Sequence, residues 1–270
     1  MSVDAPTVAT AAADGAFPPG APAARPAVAS PVAEGSAPAD AYLAFDVFAG
    51  WGVRALVTTR AAGTFSTAGD EPAHAVLDRW AALHEHLAPG PSGRLASARQ
   101  VHGAVVIDHV TGWRGWLRGP AADGHLSVAR GTAMVVSVAD CVPVFLAHPS
   151  GAAALLHAGW RGTAAGIVGV AVRLLAAAGF RAVELRALLG PAICGRCYEV
   201  SPDVHARLTG RTVAAPTPVD LHAVLAAQLG ALGVRDVWRS DLCTRCGERR
   251  LFSHRGGDAG RQLAALVADG

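Results

Sequence analysis

Three short segments of the chain each offer one soft-metal ligand: Gln100-Val101-His102-Gly103, Ala139-Asp140-Cys141 and His157-Ala158-Gly159-Trp160-Arg161-Gly162. Two histidines and a cysteine are what a three-ligand catalytic zinc site uses, its fourth position left for water or substrate. Local pattern places two of them. Residues 132–138 (TAMVVSV), 142–147 and 152–157 (AAALLH) are apolar and fairly rich in β-formers, and His148-Pro149-Ser150-Gly151 has the composition of a turn. Folding back at that turn brings Cys141 and His157 nearly opposite each other. A three-residue turn, or a bulge at Pro143, puts both side chains on one face; a two-residue turn puts them on opposite faces. His102 arrives from elsewhere, and pattern does not place it.

Other residues compete for attention. Cys194-Gly195-Arg196-Cys197 and Cys243-Thr244-Arg245-Cys246 are two CxxC pairs, the ligand set of a closed structural zinc site, although the 45 residues between them exceed common zinc-ribbon spacing. His84-Glu85-His86 is an HxH on a helix, where residues two apart do not face each other. Asp140 and Asp123 are acid/base candidates, with turn capping or support of a ligand as the alternative. Taken singly, each ligand has a plainer reading: His102 as a structural histidine, Cys141 as a buried core thiol, and the glycines near His157 as turn formers. It is the constellation that argues for a site.

QVHG, ADCVPVFL, HAGWRG, GPAICGRCYEV and CT…FSHR…GRQ, in this order over residues 54–266, resemble the bacterial laccase-domain family. That family was long labelled polyphenol oxidase and is now regarded as purine nucleoside phosphorylases with adenosine deaminase activity. The resemblance implies a layered α/β domain with helices outside mixed β-sheets. It implies a metal-binding trio of His102, Cys141 and His157, with zinc expected rather than the copper of the older label. It also implies phosphorolysis of adenosine, inosine and methylthioadenosine, and hydrolytic deamination of adenosine, in which Asp140 joins the trio as a candidate catalytic residue. Arg60 (TTRAAG), Arg161 (HAGWRG) and Arg255 (FSHRGG) are candidates to hold phosphate as co-substrate through forked donors. Members resembling this family have been linked to editing peptidoglycan precursors, so a metal-free cysteine hydrolase using Cys141 and His157 is the rival reading. A zinc-stabilised binding module built on the CxxC pairs is the non-enzymatic one. Two departures from the family pattern bear on the substrate pocket: the segment from Arg60 to Asp70 is short, and FSYRR reads Ser253-His254-Arg255-Gly256 here.

Composition narrows the chemistry. All 23 basic residues are arginine and there is no Lys, which excludes a Schiff-base or P-loop lysine. A net charge of +2 with interspersed signs leaves no nucleic-acid footprint. No apolar run reaches membrane-spanning length. Five cysteines without an export signal point to a reducing compartment, the cytoplasm by default. The expected partners are therefore a small nucleoside and phosphate, with no nucleic acid and no membrane. Residues 1–40 hold 14 Ala and 7 Pro and read as disordered, leaving 41–270 as one catalytic domain.

The elements that position these residues follow from periodicity. Strands are expected at 53–59, 95–101, 104–110, 183–189 and 234–239, besides the hairpin. Helices are expected at 71–87 with Asp70 as a cap, 163–178, 202–208, 220–232 and, closing the chain, 258–267. Residues 111–124 read as a loop. An antiparallel hairpin among alternating strands and helices predicts a mixed sheet.

Overall fold

Period-two alternation divides the central strands between two cores. Along Val142–Ala147, Val142, Val144 and Leu146 face one core while Phe145 and Ala147 face another; along Ala153–Ala158, Leu156 and Leu155 divide in the same way. Thr132–Val138 repeats the pattern, with Met134 and Val136 inward and Ala133 and Val135 outward. Strands buried on both faces require a layer on each side, and that is the architecture. The computed structural model describes residues 7–9, 24–32, 40–67 and 70–270.

Among the described residues, one mixed sheet has eight strands in the order Thr7–Ala9, Val106–Asp108, Gly124–Ser127, Ala153–Ala158, Val142–Ala147, Arg186–Leu189, Asp236–Ser240, Arg25–Ala27. A second has seven, in the order Ala29–Val32, Tyr42–Phe45, Val53–Thr58, Gln262–Ala268, Thr132–Val138, Arg94–Arg99, Gly115–Ala121. The sheets pack on each other through a shared core containing Phe145, Leu155 and Leu188 from the first and Met134, Val136 and Leu266 from the second. Helices Ile167–Ala177 and Leu221–Ala231 cover the outer face of the eight-stranded sheet, and helix Ala73–Leu87 covers that of the seven-stranded sheet. The chain is a single α/β domain with helix, sheet, sheet and helix in layers, as expected. No helix among the described residues is long and apolar enough to cross a membrane.

Several local expectations differ from the structure. The closing segment forms a strand, Gln262–Ala268, not a helix, and lies antiparallel between Val53–Thr58 and Thr132–Val138. Its Leu/Ala-rich run favours helix intrinsically, but all seven residues are buried, and a central strand satisfies both faces where a surface helix would need a polar side. Gly115–Ala121, read as loop, is an edge strand parallel to Arg94–Arg99; its glycines and Pro120 masked it, and an edge tolerates proline. The helix expected over 163–178 is broken at Gly166, whose φ of 72° divides Trp160–Ala164 from Ile167–Ala177. The strand expected from 183 begins as a 3-10 turn, Ala182–Glu184. Helix Ala73–Leu87 starts after Pro72, and Asp70 does not cap it. Within the Ala/Pro-rich first 40 residues, Thr7–Ala9, Arg25–Ala27 and Ala29–Val32 pair as strands along sheet edges, so disorder does not describe those pieces. Apart from Ala24, Val28 and Asp40, the rest of that segment lies outside the described residues.

Candidate active site

The hairpin register settles which face its ligands share. Pro143 pairs with His157 and Ala147 with Ala153, so a five-residue connection joins the strands. That odd count places Cys141, two residues before Pro143, on the same face as His157. Both side chains reach the same end of the eight-stranded sheet, where His102 meets them. The imidazole nitrogens of His102 and His157 and the Cys141 sulfur lie within 4.8 Å of one another, and the two rings sit edge to face with centroids 4.8 Å apart. His157 is buried, Cys141 half-buried and His102 exposed.

Asp123 builds this arrangement. Fully buried at the start of Gly124–Ser127, it accepts hydrogen bonds from the backbone N–H of Val101 (3.1 Å), His102 (2.9 Å) and Gly103 (2.7 Å) and from His157 Nδ1 (2.8 Å). Its carbonyl also accepts from the His157 N–H at 2.7 Å. An ionised carboxylate only accepts, so Nδ1 of His157 carries the proton and Nε2 is left for a ligand. Three N–H groups wrapped around one anion hold His102 at φ 59°, a left-handed conformation that few non-glycine residues adopt. Gln100 locks the same loop to Thr132–Val138, donating to the Ser137 carbonyl at 2.8 Å and accepting from its N–H at 2.6 Å.

The glycines of HAGWRG permit the close approach. A Cβ on Gly159 would lie 2.9 Å from Cys141 Sγ and 3.3 Å from His102 Cδ2; one on Gly162 would lie 2.7 Å from the Gly103 carbonyl oxygen. Burial alone would raise the Cys141 thiol, but hydrogen bonds and charges from His102 and His157 bring it down to about 7. Burial would lower His157, yet its bonds to Asp123 and Cys141 carry it up to about 9. Burial would likewise raise Asp123, and the bonds from His157, Gly103 and Val101 hold it below the usual carboxylate range. An acidified thiol beside two imidazoles suits a soft divalent cation, or, without one, a thiolate nucleophile.

The trio lies at one end of a cavity of about 650 Å³ that runs over the outer face of the seven-stranded sheet beneath helix Ala73–Leu87. Parallel pairing of Arg94–Arg99 with Gly115–Ala121 presents Ser97, Arg99, Trp116 and Arg118 to it. Trp116 stacks on Trp80 with centroids 4.5 Å apart, and Phe65 meets Trp80 edge-on. Arg261 and His254 complete a polar rim, joined at 3.3 Å. A smaller hollow of about 280 Å³ bordered by Phe45, Val53 and Asp269 shares no residue with this cavity.

The remaining candidates are placed differently. Asp140 accepts from Thr244 Oγ1 (2.6 Å), Ser253 Oγ (2.8 Å) and the Arg255 N–H (2.6 Å), so its carboxylate organises neighbouring loops and does not line the cavity. None of the three arginines expected to hold phosphate lines it either. Arg60 pairs with Asp258 and lies over Phe252; Arg161 lies over Trp160; Arg255 donates to the Glu199 carbonyl and lies over Tyr198. The arginines facing the cavity are Arg99, Arg118 and Arg261, and sequence reasoning missed them. Alternation along Trp116-Leu117-Arg118 was the signal that could have found one. His84 and His86 lie on helix Ala73–Leu87 and belong to neither ligand cluster found among the described residues.

Comparison with known proteins follows the same lines. A protein of Streptomyces coelicolor named purine nucleoside phosphorylase is 39% identical over 205 residues, which is 72% of this chain and 83% of that protein. A protein of Mycobacterium tuberculosis with the same name is 37% identical over 238 residues, 80% of this chain and 91% of its own length. The crystal structure of YlmD from Geobacillus stearothermophilus matches with a TM-score of 0.77 at 28% identity, covering 89% of this chain and all of that one. The family model described as multi-copper polyphenol oxidoreductase laccase matches residues 57–269, and the chain belongs to that family.

Proposed function

We propose that the protein is a purine nucleoside phosphorylase acting on inosine and adenosine, with zinc held by His102, Cys141 and His157. The observation that carries this reading is the ligand trio at the end of a cavity with an aromatic wall and an arginine rim. A cavity of about 650 Å³ is in the range of small-ligand pockets. Trp80, Trp116 and Phe65 offer flat apolar surface to a purine, and Arg99, Arg118 and Arg261 offer donors to phosphate. In phosphorolysis a phosphate oxygen bonds to ribose C1′ while the C1′–N9 bond breaks and its electron pair leaves with the purine. The arginines hold phosphate against C1′ and the aromatic wall fixes the base in line. Zinc held by His102, Cys141 and His157 would supply a Lewis acid beside the cavity. Asp123 keeps His157 in the ligating tautomer and holds His102 against it, and Asp140 positions the loops behind Cys141.

The donor set fits one zinc ion. It does not fit multicopper chemistry, which needs several clustered histidines: the two ligand clusters among the described residues hold two histidines between them. Hydrolytic deamination of adenosine is proposed as a second activity of the same cavity, supported by the family resemblance.

The aligned Asp123, His157 and Cys141 favour one other reading, a cysteine hydrolase. Incubation with inosine, with and without phosphate, separates the two. Hypoxanthine and ribose 1-phosphate formed only with phosphate support the phosphorylase. No turnover of inosine or adenosine rejects it, and chelator-resistant, iodoacetamide-sensitive amide hydrolysis establishes the alternative.

A further inference from the structure

The two CxxC pairs lie 45 residues apart in sequence, yet they fold into one cluster. The topology brings this about. Arg186–Leu189 and Asp236–Ser240 are parallel neighbours, with Leu189 opposite Arg239, and each CxxC loop leaves the same end of its strand. Ala192 and Cys243 continue the pairing as an isolated parallel bridge. The sulfurs of Cys194, Cys197, Cys243 and Cys246 therefore lie within 4.8 Å of one another. Each pair closes a tight turn, Cys197 N–H donating to the Cys194 carbonyl at 2.9 Å and Gly247 N–H to the Cys243 carbonyl at 3.2 Å.

We infer that these four cysteines bind one structural Zn²⁺ as a closed tetrathiolate site, separate from the histidine–cysteine trio. Four ligands tetrahedrally placed about 2.3 Å from a zinc ion are separated from one another by about 3.8 Å. Cys194 and Cys246 sulfurs stand 3.8 Å apart, that spacing and far beyond a disulfide bond of about 2.05 Å. Backbone N–H groups of Cys194 and Cys246 point at Cys243 Sγ at 3.3 and 3.5 Å, as donors to a thiolate would. Zn²⁺ displaces four thiol protons and leaves a complex of net charge −2; Arg196 and Arg245, one in each loop, supply opposing charge. All four ligand positions are filled by protein, so the site has no vacancy for substrate. It staples together two loops that leave neighbouring parallel strands.

The staple reaches the other site through one residue. Thr244, between two of the cysteines, donates to Asp140 Oδ1 at 2.6 Å, and the Ile193 N–H, beside Cys194, donates to the Asp140 carbonyl at 3.0 Å. Asp140 adjoins Cys141 and stands at φ 82°. The tetrathiolate site thus anchors the strained turn that delivers Cys141.

The test is metal content together with cobalt spectroscopy on full-length protein purified without chelator. Cys141→Ala should retain one zinc per chain, and after exchange with Co²⁺ it should show the intense sulfur-to-cobalt charge-transfer and tetrahedral d–d bands of four thiolates. Cys194→Ser/Cys246→Ser should lose that zinc and those bands. The Cys141→Ala spectrum decides the matter even if the double variant fails to fold, and it does so whether or not the trio binds metal. Cys141→Ala protein with no metal, with weak cobalt bands, or with a Cys194–Cys246 disulfide found by mass spectrometry would overturn the inference.

Discussion

Replacing Asp123 by asparagine isolates the group that assembles the trio, because the change removes one charge without changing shape. Asp123 Oδ1 accepts from the His102 N–H and His157 Nδ1, and Oδ2 accepts from the Val101 and Gly103 N–H groups. Asparagine has one acceptor oxygen, so in either orientation its NH₂ faces two donors and two of the four bonds are lost. At about 1.5 kcal/mol for each bond to a charged acceptor, the loss is about 3 kcal/mol. It divides between folding stability and the geometry of the ligands. If all of it fell on stability, the melting temperature would drop by about 6–12 °C. The part falling on the ligands should weaken zinc at the trio by about 10- to 100-fold, the range for partners of metal-bound histidines. Competition against a chromogenic chelator, alongside thermal unfolding, reads both. Asp123→Asn with zinc affinity within twofold of wild type and an unchanged melting temperature would refute the reasoning.

Gly159→Ala should weaken zinc affinity of the trio by about fivefold or more, since its Cβ would stand 2.9 Å from Cys141 Sγ and overpacking of that kind costs about 1–3 kcal/mol; wild-type affinity in chelator competition would show that the ligands yield. Arg118→Ala should raise KM for phosphate about tenfold in phosphorolysis with little change in KM for inosine, as loss of a charge-assisted contact of about 1.5 kcal/mol implies; an unchanged phosphate KM would remove Arg118 from the phosphate site. Stability should fall in mild acid because His125 and His109, bonded at 2.9 Å, are buried neutral. Burial first, then the neighbouring His109 charge, opposed by Asp123, takes His125 down to about 3, and burial takes His109 to about 4. Their stabilisation is present above the unfolded value near 6.5 and is lost as pH falls through the folded values, so by pH 5 each costs about 2 kcal/mol; urea unfolding of His125→Gln should show a shallower loss between pH 7 and 5, and an unchanged slope would contradict the assignment.

The hairpin ligands were legible because apolar runs and a turn left only the register open, and the count of connecting residues closed it. His102 was legible as a ligand type but not as a neighbour: its position depends on Asp123, which bonds backbone N–H groups 20 to 22 residues away and leaves no local periodicity. The three motif arginines do not line the cavity for a related reason. Arg60, Arg161 and Arg255 sit in motifs, but a guanidinium reaches far from its backbone, and theirs are engaged with Asp258, Trp160 and the Glu199 carbonyl. Arg118 escaped notice because Gly119 and Pro120 disguised an edge strand. The wide spacing of the CxxC pairs argued against a shared metal only while the parallel pairing of Arg186–Leu189 with Asp236–Ser240 was unseen. Gln262–Ala268 was misread because helix propensity is local and burial on two faces is not.

The central claim is that a metal on His102, Cys141 and His157 supports phosphorolysis in the adjoining cavity. The most direct measurement is the initial rate of phosphate-dependent inosine cleavage by chelator-stripped protein as zinc is returned. The rate should rise from near zero to saturation in the wild type and stay flat in Cys141→Ala. Full activity before zinc is added, or equal rates in the two proteins, would contradict the account.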